Sequence, residues 1–152
     1  MDEIIDQAIQ IEISGEEIYK KLESIAPSDN LKLLFKTLSS QEREHKEFFL
    51  KMKETFSSLA QEKKIERILP LDIFKDKIFN RIDVLKKLMG PKSIYELLDA
   101  CVENELEVIK YYTHLQNFLS TKDQSYMTSV INEEKNHVKY LLNERNKYKT
   151  VL

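Results

Sequence analysis

Two short stretches of the chain place a histidine three residues after a glutamate. They are Glu42-x-x-His45 in SSQEREHKEFF and Glu134-x-x-His137 in INEEKNHVKYL. On a helix, residues three apart leave the same face about one turn apart. Each pair therefore aims a carboxylate and an imidazole at one point. That donor set suits Fe(II), Mn(II) and Zn(II). A single such pair in a glutamate-rich helix is ordinarily a solvated face. Here the pair recurs and takes two of the three histidines in the chain. Upstream of each lies a glutamate followed seven residues later by a tyrosine: Glu12 with Tyr19, and Glu105 with Tyr112. Seven residues are about two helical turns, so each Glu and Tyr also share a face. The spacing from Glu12 to Glu42 nearly equals that from Glu105 to Glu134. The pattern reads as a two-fold internal repeat of a helical hairpin. Folded together, the halves bring four carboxylates and two imidazoles to one level, the ligand set of a di-iron or di-manganese carboxylate site.

Four helices must position these groups. The first spans about 2 to 25, with Ile5, Ile9, Glu12, Tyr19 and Leu22 on one stripe. Pro27 ends it, and Ser28 or Asp29 can cap the next. The second spans about 30 to 59 and turns Leu31, Leu34, Phe35, Leu38, Glu42, His45, Phe49 and Met52 inward. The third follows the Gly90–Pro91 break, with a capping box from Ser93 to Glu96, and runs to about 119. Its inner face is Ile94, Leu98, Cys101, Glu105, Val108, Tyr112 and Leu115. The fourth opens near a possible box from Thr121 to Gln124 and turns Met127, Val130, Glu134, His137 and Leu141 inward. Residues 60–92 are divided by Pro70 and contain a stretch that reads as a shorter helix. So long a connection suits a four-helix bundle whose middle two helices run parallel and need a crossover.

Composition agrees. The 152 residues suit a single domain spanning the chain. A charged fraction of 33% fits long helices with polar outer faces, and two glycines and three prolines are too few turn formers for a β-rich fold. Lysines are interspersed with glutamates at a net charge of −2, so no nucleic-acid footprint is expected. No apolar run is long enough to span a membrane, and the acidic N-terminus does not resemble a signal peptide. The expectation is a soluble cytoplasmic protein. Cys101 alone excludes an internal disulfide framework, and it reads as a small buried hydrophobe. His114 lacks a carboxylate at ligand spacing and reads as ordinary. Glu16, Glu17, Glu23, Glu44, Glu47, Glu103 and Glu107 read as outer-face residues paired with nearby lysines. Glu133 adjoins Glu134, but only Glu134 has the three-residue relation to a histidine.

The stretches AIQIEISGEEIY, SSQEREHKEFF, CVENELEVIKYY and INEEKNHVKYL, in that order, resemble the ferritin-like superfamily, and within it the rubrerythrin-type di-iron proteins. The resemblance covers all four core helices. It implies a ferritin-like all-α four-helix bundle holding two iron ions, with manganese or zinc as other occupants. It casts Glu12 and Glu105 as terminal carboxylate ligands, Glu42 and Glu134 as bridging ones, and His45 and His137 as one imidazole per metal. Tyr19 and Tyr112 become tyrosines that hydrogen-bond ligand carboxylates. Gly15 falls where small residues leave room beside the metals. Two departures stand out. Rubrerythrins proper carry a four-cysteine rubredoxin-like iron domain, which one cysteine cannot form. They also carry a further carboxylate three residues after the third-helix glutamate, where this chain has Val108. The chain stops soon after the fourth helix, so a storage cage is not expected.

The implied chemistry is an oxidoreductase. Each ferrous ion gives one electron, and the pair supplies the two needed to cleave peroxide or to reduce O2 to peroxide. Expected partners are therefore peroxide or O2 as substrate and an external electron donor. The role would be peroxide or oxygen defence, or ferrous iron oxidation. Two other readings are a non-catalytic iron-binding or sequestration protein and a helical interaction protein with a structural metal. A homodimer is also expected, with Phe74, Phe79 and Ile82 of the crossover as candidate contacts.

Overall fold

A computed structural model of the chain describes residues 2–55, 78 and 91–149. Four long helices make up the described architecture: α1 (Asp2–Ile25), α2 (Asp29–Thr55), α3 (Pro91–Gln116) and α4 (Thr121–Asn146). Within the described residues, none is long and apolar enough to cross a membrane. The predicted short crossover helix and the candidate contacts Phe74, Phe79 and Ile82 lie outside the described residues.

Side-chain pairs fix the helix directions. Lys53 meets Asp6 and Arg43 meets Glu16, so α2 runs antiparallel to α1. Arg145 meets Asp99 and Gln116 meets Thr128, so α4 runs antiparallel to α3. Tyr19 reaches Glu105 and Tyr112 reaches Glu12, so α3 is antiparallel to α1. The middle helices α2 and α3 are therefore parallel. The chain between them must travel back along the bundle, about 40 Å for a helix of 27 residues. That distance explains the length of the crossover. From this connection, Ile78 is buried in the core.

Every residue predicted on an inner stripe is buried except Leu34, which is half-buried. The core is not continuous, however. One apolar cluster contains Leu22, Phe35, Leu98 and Leu141; the other contains Ile5, Phe49, Leu115 and Met127. Along each helix the two clusters are separated by the glutamates and histidines of the repeat. The polar layer is thus sealed at both ends by hydrocarbon.

Two predicted caps move. The third helix starts at Pro91, ahead of the Ser93–Glu96 box. Proline is well tolerated in a first turn because its missing N–H would have no helical partner there, so the break and the helix start coincide. At the fourth helix the cap is Ser120, not Thr121. Ser120 Oγ accepts from the Asp123 backbone N–H at 3.2 Å and donates to Asp123 Oδ2 at 3.0 Å. Ser28 caps α2 as predicted, its Oγ accepting from Leu31 N–H at 3.3 Å. Replacing a serine N-cap with alanine costs about 1 kcal/mol. Ser120→Ala should therefore lower unfolding free energy by about that amount in urea denaturation, while Thr121→Ala should change it by under about half as much.

Candidate metal centre

All six motif residues meet in one layer. Glu12, Glu42, His45, Glu105, Glu134 and His137 are each no more than 3% exposed. They form two overlapping sets: Glu12, Glu42, His45 and Glu134, and Glu42, Glu105, Glu134 and His137. In each set, one ligand atom per residue lies within 4.8 Å of every other. Glu42 and Glu134 belong to both.

The repeat shows as a pseudo-two-fold pattern of contacts. Tyr19 donates to Glu105 Oε1, and Tyr112 donates to Glu12 Oε1, each across the bundle. His45 Nδ1 lies 3.0 Å from Glu134 Oε1 and 3.5 Å from Glu12 Oε2. His137 Nδ1 lies 3.3 Å from Glu42 Oε1 and 3.8 Å from Glu105 Oε1. Both imidazoles thus turn Nδ1 into the carboxylates, and their rings stack at 5.9 Å between centroids. A Cβ at Gly15 would stand 3.2 Å from Glu42 Cδ, so the glycine lets α1 approach that carboxylate closely.

Four glutamates this close in a dry layer cannot all stay charged. Burial, then the charges of Glu42 and Glu134, push the Glu12 carboxyl well above its ordinary range. Burial and the same two neighbours do so for Glu105. For Glu42, burial raises the pKa, but hydrogen bonds with Glu12, His137 and His45 outweigh it and the group is depressed. At Glu134, burial and the Glu42 charge are outweighed by hydrogen bonds with His137 and His45. Burial lowers both imidazoles, yet their carboxylate partners raise them strongly overall. In the metal-free layer Glu12, Glu105, His45 and His137 are thus the groups that favour their protonated forms, against the depressed Glu42 and Glu134. Both tyrosine hydroxyls are raised, by burial first and then by the carboxylate each one faces. They remain donors.

Protons satisfy the charge but not the geometry. Glu12 Oε2, Glu134 Oε2 and His137 Nδ1 are buried without a well-aligned hydrogen bond, although His137 Nδ1 stands 2.9 Å from Glu134 Oε2 and His45 Nδ1 3.5 Å from Glu12 Oε2. All three face the cluster. Buried polar atoms with poorly aligned partners are costly, and here they belong to carboxylates and imidazoles that converge from four helices. The residues fit a pair of divalent cations.

Two further residues touch the site that motif spacing did not single out. Glu133 Oε2 accepts from His45 Nε2 at 2.6 Å, and Gln41 Oε1 accepts from His137 Nε2 at 2.6 Å. Each immediately precedes a motif glutamate, so matching positions in the repeat were the available signal. Glu16 also departs from expectation. It is buried rather than on an outer face, and burial is outweighed by hydrogen bonds from Lys20, Arg43 and Lys46, which pull its carboxyl down to about 2. It ties α1 to α2 one turn beyond Glu12. Cys101 is buried, as expected, and His114 is exposed on the outer face of α3.

The sequence profile of the rubrerythrin family matches residues 3–145. The chain belongs to the rubrerythrin family. Among solved structures, the chain is similar to a crystal structure from Thermotoga maritima described as a ferritin-like diiron-carboxylate protein. The two share 24% identity over 97% of this chain and 95% of the other, with a TM-score of 0.73, which shows a common ferritin-like fold. No curated protein matches the chain at a significant level.

The protonation pattern sets a pH dependence for the metal-free protein. Glu12, Glu105, His45 and His137 are raised, so above the ordinary glutamate value of 4.5 the folded chain binds more protons than the unfolded one. Their stabilisation is full below the unfolded values and is lost as pH rises. The depressed Glu42 and Glu134 act oppositely, losing stabilisation only in stronger acid. Chelator-treated protein should accordingly melt at a lower temperature at pH 8 than at pH 5.5 by differential scanning calorimetry. A melting temperature that rises across this interval would contradict the pattern.

Proposed function

We propose that this protein is a di-iron oxidoreductase that reduces peroxide or O2 with electrons from a separate donor. The observation that carries the reading is the pair of buried half-sites sharing Glu42 and Glu134, each completed by its own glutamate and histidine. In this reading Glu12 with His45 and Glu105 with His137 would each hold one metal, the histidines through Nδ1, and Glu42 and Glu134 would be common to both. Iron held there would supply two-electron chemistry, one electron per ferrous ion, enough with two protons to reduce hydrogen peroxide to two waters or O2 to hydrogen peroxide.

The chain's own residues prepare the site for this. Tyr19 and Tyr112 hold Glu105 and Glu12 by hydrogen bonds. The apolar clusters above and below exclude bulk water. The metal-free layer favours protons on Glu12, Glu105, His45 and His137, so loading would exchange protons for metal cations. The single cysteine is too few for a rubredoxin-type centre within these residues, which supports an external donor. Iron binding without turnover is a second reading. It draws on Val108, buried where rubrerythrins carry their extra carboxylate.

Anaerobic Fe(II) titration followed by rapid mixing with hydrogen peroxide or O2 tests the proposal. Two irons per chain and rapid ferrous oxidation are expected, with sustained turnover only when a reductant is supplied. Unchanged ferrous iron after both oxidants would contradict it, and oxidation that reductant cannot renew would favour the second reading.

Metal loading should also release protons, because the displaced ones sit on ligand atoms. Titrating metal-free protein with Mn(II) in weak buffer at neutral pH should acidify the solution, and no acidification would count against these ligands. A methyl group at Gly15 presses on Glu42. Gly15→Ala should therefore weaken metal binding even though alanine favours the helix by about 1 kcal/mol. The expected result is a smaller rise in melting temperature on adding Mn(II) than in the parent protein.

A further inference from the structure

The internal repeat breaks at a contact directly behind the two imidazoles. His45 and His137 each turn Nδ1 toward the carboxylates and Nε2 away from them. Each Nε2–H donates to the residue just ahead of the opposite helix's motif glutamate. For His45 that residue is Glu133, and for His137 it is Gln41, both at 2.6 Å. The positions are equivalent in the repeat and the distances are the same. The charge is not.

A carboxylate behind an imidazole has an effect that a neutral amide lacks. When Nδ1 shares its lone pair with a cation, the ring gains positive character, and an anionic acceptor at Nε2 stabilises it. Nδ1 becomes the stronger donor, and outer partners of this kind are worth about 10–100-fold in metal affinity. Glu133 is half-exposed, so water screens its long-range field. The hydrogen bond itself is local and acts on a buried ring. Glu42 and Glu134 are shared, and the tyrosine on each terminal glutamate is matched by its counterpart. The nearest cations on α2, Arg43 and Lys46, are turned to Glu16.

We propose that the pseudo-symmetric site is polarised. The half-site of Glu12 and His45 takes a divalent cation first and holds it more tightly than the half-site of Glu105 and His137. Glu133 is the positioning residue that sets this order. The inference rests on the metal-centre reading above and adds to it that the two positions are inequivalent in this chain.

The test uses the metal-free protein labelled with 15N-histidine and titrated with Zn(II), read by nuclear magnetic resonance. Exposed His114 serves as the internal control. At one equivalent the Nδ1 signal of His45 should move to its metal-bound position while that of His137 lags until the second. In Glu133→Gln the preference should vanish, and calorimetry should show the first binding step weakened by about tenfold or more. In the swapped variant Glu133→Gln, Gln41→Glu the order should reverse. Both positions are partly exposed, and circular dichroism of each variant verifies the fold. Equal response of the two imidazoles at one equivalent in the parent protein would overturn the proposal and leave the metal centre standing. An order that survives the swap would also overturn it. A titration in which neither imidazole responds would overturn the metal-centre reading and this proposal with it.

Discussion

Four carboxylates in one dry layer of a helical bundle cannot all keep their charge without compensation. Everything else in this molecule accommodates that constraint. Without metal, burial and like charge push the Glu12 and Glu105 carboxyls up, while hydrogen bonds from the imidazoles help hold Glu42 and Glu134 down. Buried ion pairs of this type are weak evidence for stability, because the desolvation of both partners is large. A hydrocarbon layer of similar volume would be as stable or more so. The arrangement therefore makes physical sense as a place prepared for positive charge.

The fold follows from where that layer must sit. Each helix crosses it once, with an apolar segment on either side, so each helix needs length enough for two core contacts and one polar contact between them. The four described helices run 24 to 27 residues, long enough for that sequence of contacts. Cross-helix hydrogen bonds then tie the layer together: tyrosines join α1 to α3, and imidazoles join α2 to α4. Glu16, held by cations from its own helix and from α2, staples the first hairpin beside the site. The hairpins meet through the site, so the site is also part of what joins the halves.

Much of this was legible before any coordinates, because the periodicity of buried residues on a helix is a strong signal. The inner stripes, the number and type of the long helices, the parallel middle pair and the convergence of Glu12, Glu42, His45, Glu105, Glu134 and His137 all follow from period and repeat. What spacing could not supply was contact across helices that do not share a face. Glu133 sits beside a motif glutamate and looks like a solvated residue along its own helix. Only the approach of α2 shows it meeting His45. Gln41 is uncharged and has no motif signal of its own. Helix starts were also read imperfectly, since Ser120 and Thr121 are both competent caps and Pro91 is both a breaker and a good first-turn residue. The residues between α2 and α3 carry a helical pattern that lies outside the described residues.

The central claim is that two cations occupy this layer, each with its own glutamate and histidine and with Glu42 and Glu134 common to both. Crystals loaded anaerobically with Fe(II), measured on either side of the iron absorption edge, test it most directly. The account predicts two anomalous peaks per chain within the layer, one beside His45 Nδ1 and Glu12, the other beside His137 Nδ1 and Glu105, with Glu42 and Glu134 between them. Absence of iron from the layer, or a single peak that touches neither imidazole, would contradict it.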